Sequence, residues 1–212
     1  MVSLSDSAEA FGERRPRRRA RYLASRPFAV VRKPLLNLCK EIPMTTSMHT
    51  LSVPVFKQML GGLQAVLRKA EAHAAEKKID PEALLQARLF PDMFPLLRQV
   101  QVASDFAKSV SARLAGVDVP KLADGEKTFA DLQVRLEWVT NFIDSLQASQ
   151  FDGAATREII TQAGTPKEKR FTGQSYLLNY GFPHFFFHTT AAYAILRHNG
   201  VEVGKKDYIG SF

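Results

Sequence analysis

Apolar residues recur at three- and four-residue steps in several separate stretches, and this spacing restricts the chain to packed amphipathic helices. Val53, Phe56, Leu60, Leu63, Leu67 and Ala70 form one such stripe. Ser52 reads as its cap and Pro54 as a first-turn proline, which predicts a first helix over 53–77. Asp80-Pro81 opens a short helix through Arg88-Leu89, ended by Pro91-Asp92. A second long helix is predicted over 93–115. Leu96, Ala103, Phe106 and Val110 lie on one line and Met93, Leu97, Val100, Ala107 and Leu114 on its neighbour, with Gly116 as the stop. The third helix starts at Thr128, with Asp131 placed for a reciprocal cap, and carries Phe129, Leu132, Leu136, Val139, Ile143 and Leu146 inward. Val134, Trp138 and Phe142 widen that stripe; they read as a broad core face or, alternatively, as a homodimer contact. Residues 157–172, around Gly164-Thr165-Pro166, read as a small hairpin or an ordered loop. A last helix is predicted over 172–199, kinked at Pro183, with Val201–Phe212 as a strap or frayed end.

Four such helices make an all-α four-helix bundle. The link between helices two and three has about 13 residues, Ala115–Lys127, and reaches ~43 Å when extended. A 23-residue helix is ~35 Å long, so the link can cross the bundle end to end and allow the two helices to run parallel.

Composition narrows the setting. With 212 residues, 45% apolar and 24% charged, collagen-like, coiled-coil-only and wholly disordered chains are excluded. No apolar run approaches the ~20 residues of a membrane helix, so no membrane partner is expected. The single cysteine, Cys39, allows neither an intramolecular disulfide nor a cysteine-rich metal site, and a reducing, cytoplasmic setting is the default. The net charge of +8 is uneven: residues 1–43 hold ten Lys/Arg against four Asp/Glu, and the remainder nineteen against seventeen. The expected organisation is therefore a basic disordered extension over 1–47 and a bundle over 48–212. The extension reads as an over-called start, with initiation near Met44 or Met48, or as a targeting tail. Asp6, Glu9, Glu13 and Glu41 argue against a transit peptide, and the near-neutral remainder argues against nucleic acid as a partner.

One stretch carries candidate chemistry. From Tyr176 to Leu196 no side chain is charged, which predicts a helix apolar nearly all round and largely buried. His184 and His188, four apart, share a face with Gly181, Ala192 and Ile195, whose small members leave room. Two readings stand open. The pair either shapes a small-molecule pocket as hydrogen-bonded histidines or supplies two ligands to a divalent ion such as zinc, nickel or iron. Asp92 and Gln99 on helix two, and Tyr176 and Asn179 on helix four, are the other candidate pocket residues. Arg88 and Asp92 read as an ion pair at the helix corner. No Gly-rich phosphate loop, serine elbow or zinc finger is present.

The stretches Ala87-Arg88-Leu89-Phe90-Pro91-Asp92-Met93, Gln99-Val100-Gln101-Val102-Ala103 and the run from Phe185 to Val201 resemble a domain-of-unknown-function branch of the DinB-like proteins, found in bacteria and fungi. The resemblance covers residues 48 to about 210 and implies a DinB-like four-helix bundle with the parallel two–three crossover. It implies no established activity. The wider superfamily resembles metal-dependent enzymes, thiol-dependent S-transferases and isomerases among them, with one histidine on helix two and a His-x3-His pair on helix four. His184 and His188 match that pair; helix two offers Gln99 and Gln101 but no histidine. Two functions follow as expectations: a binding protein for a small, mostly apolar molecule, or a divalent-metal enzyme of the S-transferase kind.

Overall fold

The computed structural model describes residues 46–211. The basic run, Cys39 and nearly all of the expected extension lie outside the described residues. The chain is mostly helical with one two-stranded sheet: α1 (Met48–Lys77), α2 (Pro81–Leu85), α3 (Leu96–Ala115), α4 (Phe129–Asp144), β1 (Glu158–Thr161), β2 (Lys169–Thr172), α5 (Gly173–Ser175), α6 (Phe182–His198) and α7 (Lys205–Ile209). A π-helical segment, Tyr176–Gly181, joins α5 to α6. Among the described residues no helix is long and apolar enough to cross a membrane.

Helix α1 starts five residues before the predicted position. Ser47, not Ser52, is its cap, accepting the His49 N–H at 3.2 Å. The helix continues through Pro54 at the loss of one backbone donor, and the Ser52 hydroxyl donates to the Met48 carbonyl at 2.6 Å. Helix α2 ends at Leu85, short of the predicted Arg88-Leu89. Helix α3 begins at Leu96 because Pro95 occupies its cap and disfavours helical geometry at Phe94. Asp92 and Met93 are thereby left in a turn rather than on the helix. Arg88 binds the Met93 carbonyl at 2.8 Å, in place of the expected ion pair with Asp92.

Helix α3 packs on both α4 and α6, and α1 packs on α4, α6 and the C-terminal α7. The α4 capping box forms as predicted, with Thr128 and Asp131 exchanging bonds. Leu132, Leu136, Val139 and Ile143 are buried, but Val134 is 67% and Trp138 40% exposed, so the broad core face is not what that widened stripe makes. Trp138 instead stacks on Phe142, ring centres 5.8 Å apart.

The link after Gly116 returns along α3. Its Glu126 accepts from Gln101 at 2.7 Å, and its Asp124 pairs with Arg98, both in the first half of α3. Arg135 of α4, 2% exposed, closes this layer. Its Nε donates to Ser104 Oγ at 2.7 Å, Nη1 to Glu126 at 2.8 Å and to the Ala123 carbonyl at 3.1 Å, and Nη2 to Asp105 at 2.9 Å. One guanidinium thus ties link, α3 and α4 together.

β1 and β2 pair antiparallel, Glu158 opposite Thr172 and Thr161 opposite Lys169, which resolves the 157–172 segment as a hairpin. Gln162, just past β1, adopts φ 53°, a left-handed conformation. The residues after Gly200 form a strap. Val201 and Val203 are buried, Asp207 pairs with Lys69 at 2.7 Å, and Tyr208 reaches Thr190 Oγ at 2.9 Å.

The Arg135 knot yields a stability prediction. Arg135→Met keeps the aliphatic stem but removes the guanidinium from Glu126 and Asp105, leaving them only Gln101 and Lys108 as partners. It is expected to lower unfolding free energy by about 3 kcal/mol, the lower end for breaking a buried ion pair because its acidic partners are partly solvated. Urea denaturation of wild type and variant measures this.

Candidate functional site

The segment from Gly173 to His198 is one helical run of changing pitch. The π turn sits immediately before Pro183, which falls in the first turn of α6, so the proline meets no regular i to i−4 bond to break. Burial is one-sided rather than all round. Phe185, His188, Thr189, Ala192, Ile195 and Leu196 are buried, whereas Leu178 is exposed and Phe187 is 56% exposed. Gly181 brings this run close to α3: a Cβ there would lie 2.8 Å from Val110. The room expected from a small residue at Gly181 is therefore taken by Val110.

Gln99 and His188 come together. The Gln99 Nε2 donates to the Phe94 carbonyl at 3.1 Å, and its Oε1 lies 2.7 Å from His188 Nδ1. A carbonyl can only accept, so the Phe94 oxygen fixes which end of the amide faces it. Oε1 must then face His188, and Nδ1 must carry the proton. Burial, foremost, with the nearby His184 and Arg98, pushes His188 down to about 4. At neutral pH it is the uncharged Nδ1–H tautomer, with the Nε2 lone pair free. Nε2 has no hydrogen-bond partner among the described residues. The residue as a whole is 8% exposed. Three rings flank the imidazole: Phe94 and Phe106 lie nearly parallel to it at 6.5 and 6.1 Å, and Phe187 stands edge-on at 5.2 Å.

His184 is partly buried, stacked on the same Phe106 at 4.7 Å and edge-on to Tyr180 at 4.5 Å. Burial and the Lys169 charge hold it below the ordinary histidine range. Tyr176 is buried, with its hydroxyl accepting from Arg113 at 2.9 Å. It lines a cavity of about 180 Å³ with Phe106, Arg113 and Tyr180, and neither histidine is among that cavity's walls. Two candidates stand apart. Asp92 is exposed in the 91–93 turn, and Asn179 is exposed, its amide reaching only Ser175 Oγ at 3.5 Å. Of the six predicted site residues, Gln99, His184 and His188 share one neighbourhood, Tyr176 lines the adjoining cavity, and Asp92 and Asn179 belong to neither.

A divalent ion fits this donor set poorly. Among the described residues no three His, Cys, Asp or Glu side chains converge. Zinc needs three protein ligands even in open sites, and Gln99 is committed to His188 Nδ1 and the Phe94 carbonyl. Two further participants, Phe94 and Phe106, were not singled out by sequence reasoning. Their signal was weak, since a phenylalanine in a helical stripe is ordinary core.

The depressed His188 pKa has a signed consequence. The unfolded histidine takes up its proton near pH 6.5 and the folded one near 4, so the stability held by neutral His188 is complete above 6.5 and lost as pH falls toward 4. Denaturant midpoints between pH 7 and pH 4 should fall more steeply in wild type than in His188→Phe.

Comparison with known proteins places the chain. The sequence profile of a domain of unknown function, DUF1993, matches residues 48–209. Among solved structures, a DinB family member protein from Shewanella denitrificans is similar at 44% identity and a TM-score of 0.73, over 77% of this chain and 92% of that one. No curated protein matches. The profile match spans all of the described helices, and the solved neighbour supplies the fold relationship: this protein belongs to the DUF1993 family, a DinB-like domain of unknown function.

Proposed function

We propose that this protein binds a small, largely apolar molecule bearing a hydroxyl, thiol or N–H, received by His188 Nε2 on a DinB-like four-helix bundle formed by α1, α3, α4 and α6. The observation that carries the reading is the Phe94–Gln99–His188 chain of hydrogen bonds. It spends the imidazole's only proton inward and leaves an unbonded lone pair among aromatic rings. Such a group accepts one hydrogen bond with fixed direction, and Phe94, Phe106 and Phe187 supply apolar surface around it.

Binding is favoured over acid–base catalysis by magnitude. A general base works best with a pKa near the operating pH, and a histidine at about 4 is some three units too weak. The metal-enzyme reading is set aside on the donor set described above.

Phenol serves as a probe. Titration into isotope-labelled full-length protein should shift the His188 ring signals saturably, with at least a tenfold loss of affinity in His188→Phe. Unmoved His188 signals in folded protein would refute the reading. Stoichiometric zinc, nickel or iron in purified wild type, lost in His188→Ala, would replace it with the metal-enzyme alternative.

A further inference from the structure

The 180 Å³ cavity beside Phe106 has a chemistry of its own. Its walls are Asp105, Phe106, Ser109 and Arg113 from α3, Thr161 and Gln162 from the hairpin, and Tyr176 and Tyr180 from the π segment. Drug-sized pockets begin at roughly 300 Å³, so the occupant that fits is a single ring or a short branched chain.

The charges around it sort into a closed set and a remainder. Asp105 is held by Lys108 at 2.8 Å and by Arg135 at 2.9 Å. Arg135 also pairs with Asp124 and Glu126, and Arg98 with Asp124. Three carboxylates thus meet three cations, and Asp105 presents little net charge to the cavity. Arg113 is different. Among the described residues it has no carboxylate within pairing distance, and its one hydrogen bond runs to the Tyr176 oxygen at 2.9 Å. Lys169, also without a carboxylate partner there, places its ammonium 5.3 Å from the Tyr180 ring centre. The one unpaired charge on the cavity wall is therefore the Arg113 cation, with Lys169 outside the wall on the Tyr180 ring.

Tyr176 completes a pair of donors. Its oxygen accepts from Arg113, so its own proton is available, and that proton has no acceptor among the described residues. Burial pushes the phenol up, which keeps the proton in place. A guanidinium N–H and a phenolic O–H side by side match the two oxygens of one carboxylate. Phe106 and Tyr180, ring centres 5.9 Å apart, offer flat apolar surface beside them.

We infer that this cavity binds a small monocarboxylate with a flat apolar body, its carboxylate on Arg113 and the Tyr176 hydroxyl and its body against Phe106 and Tyr180. The site stands independently of whether His188 receives a ligand. A phosphate suits it less well, because Phe106 and Tyr180 would set flat apolar surface against its charged oxygens, and the other polar walls beyond Arg113 and Tyr176 are the neutral Ser109, Thr161 and Gln162 and the carboxylate of Asp105.

Benzoate is the probe, added to isotope-labelled full-length protein and followed through the Arg113 side-chain and Tyr180 signals. Saturable shifts are expected, with affinity reduced at least tenfold in Arg113→Met and severalfold in Tyr176→Phe, which keeps the ring and removes only the hydroxyl. Benzyl alcohol, with the same ring and no charge, should bind at least tenfold more weakly than benzoate. Equal affinity for benzoate and benzyl alcohol, tighter binding of inorganic phosphate, or unchanged benzoate affinity in Tyr176→Phe would each overturn the proposal. If Arg113→Met does not fold, Tyr176→Phe and the benzyl alcohol comparison decide.

Discussion

Arg135 is the constraint on which the arrangement depends. A 13-residue link, residues 116–128, has no helix or strand of its own, and an unanchored segment of that length explores many conformations at substantial entropic cost. The guanidinium removes that freedom by bonding the Ala123 carbonyl and Glu126 of the link while holding Ser104 and Asp105 of α3. Once the link is fixed against α3, α4 begins beside the first half of α3. The other face of α3 remains available for α6, whose approach is set by Gly181 against Val110. The neighbourhood of Gln99 and His188 is a product of that second contact.

Much of this was legible from spacing. The helical stripes, the Thr128 cap and the Gly116 stop follow from short-range rules that the residues state openly, whereas the hairpin stood open against an ordered loop and the link's length only allowed its return along α3. What failed were positions where a competing local rule won. Ser52-Pro54 looks like a helix start, yet Ser47 caps earlier and the helix tolerates the proline. Pro95 overrides the periodicity that begins at Met93, which removed Asp92 from the helix and so from the site. Arg135 was visible as a charge three residues after Leu132 and four before Val139, on the buried stripe. Its partners lie up to 31 residues away, and no local pattern reveals them.

The candidate site was half legible for a different reason. A His-x3-His spacing says that two imidazoles share a helix face, and Gln99 on an inward line says that an amide is available. Neither says which atoms meet. The decisive datum is the Phe94 carbonyl, a backbone group with no sequence signature, which orients the amide and through it the imidazole. Likewise Tyr176 could be marked as a polar aromatic near the helix, but its pairing with Arg113 joins residues 63 apart.

The π segment ahead of Pro183 has a consequence for how this family can vary. Each residue added to or removed from a helix rotates everything beyond it by about 100°. The wide turn over Tyr176–Gly181 is the exception, because it holds one residue more than regular α pitch would. Losing one residue there closes the turn to α pitch and leaves α6 in phase, whereas losing one between Phe182 and His184 would swing both histidines relative to the segment before them. The π turn is therefore the place where this helical run can change length at least cost to the geometry of Phe106, Gln99 and the two histidines.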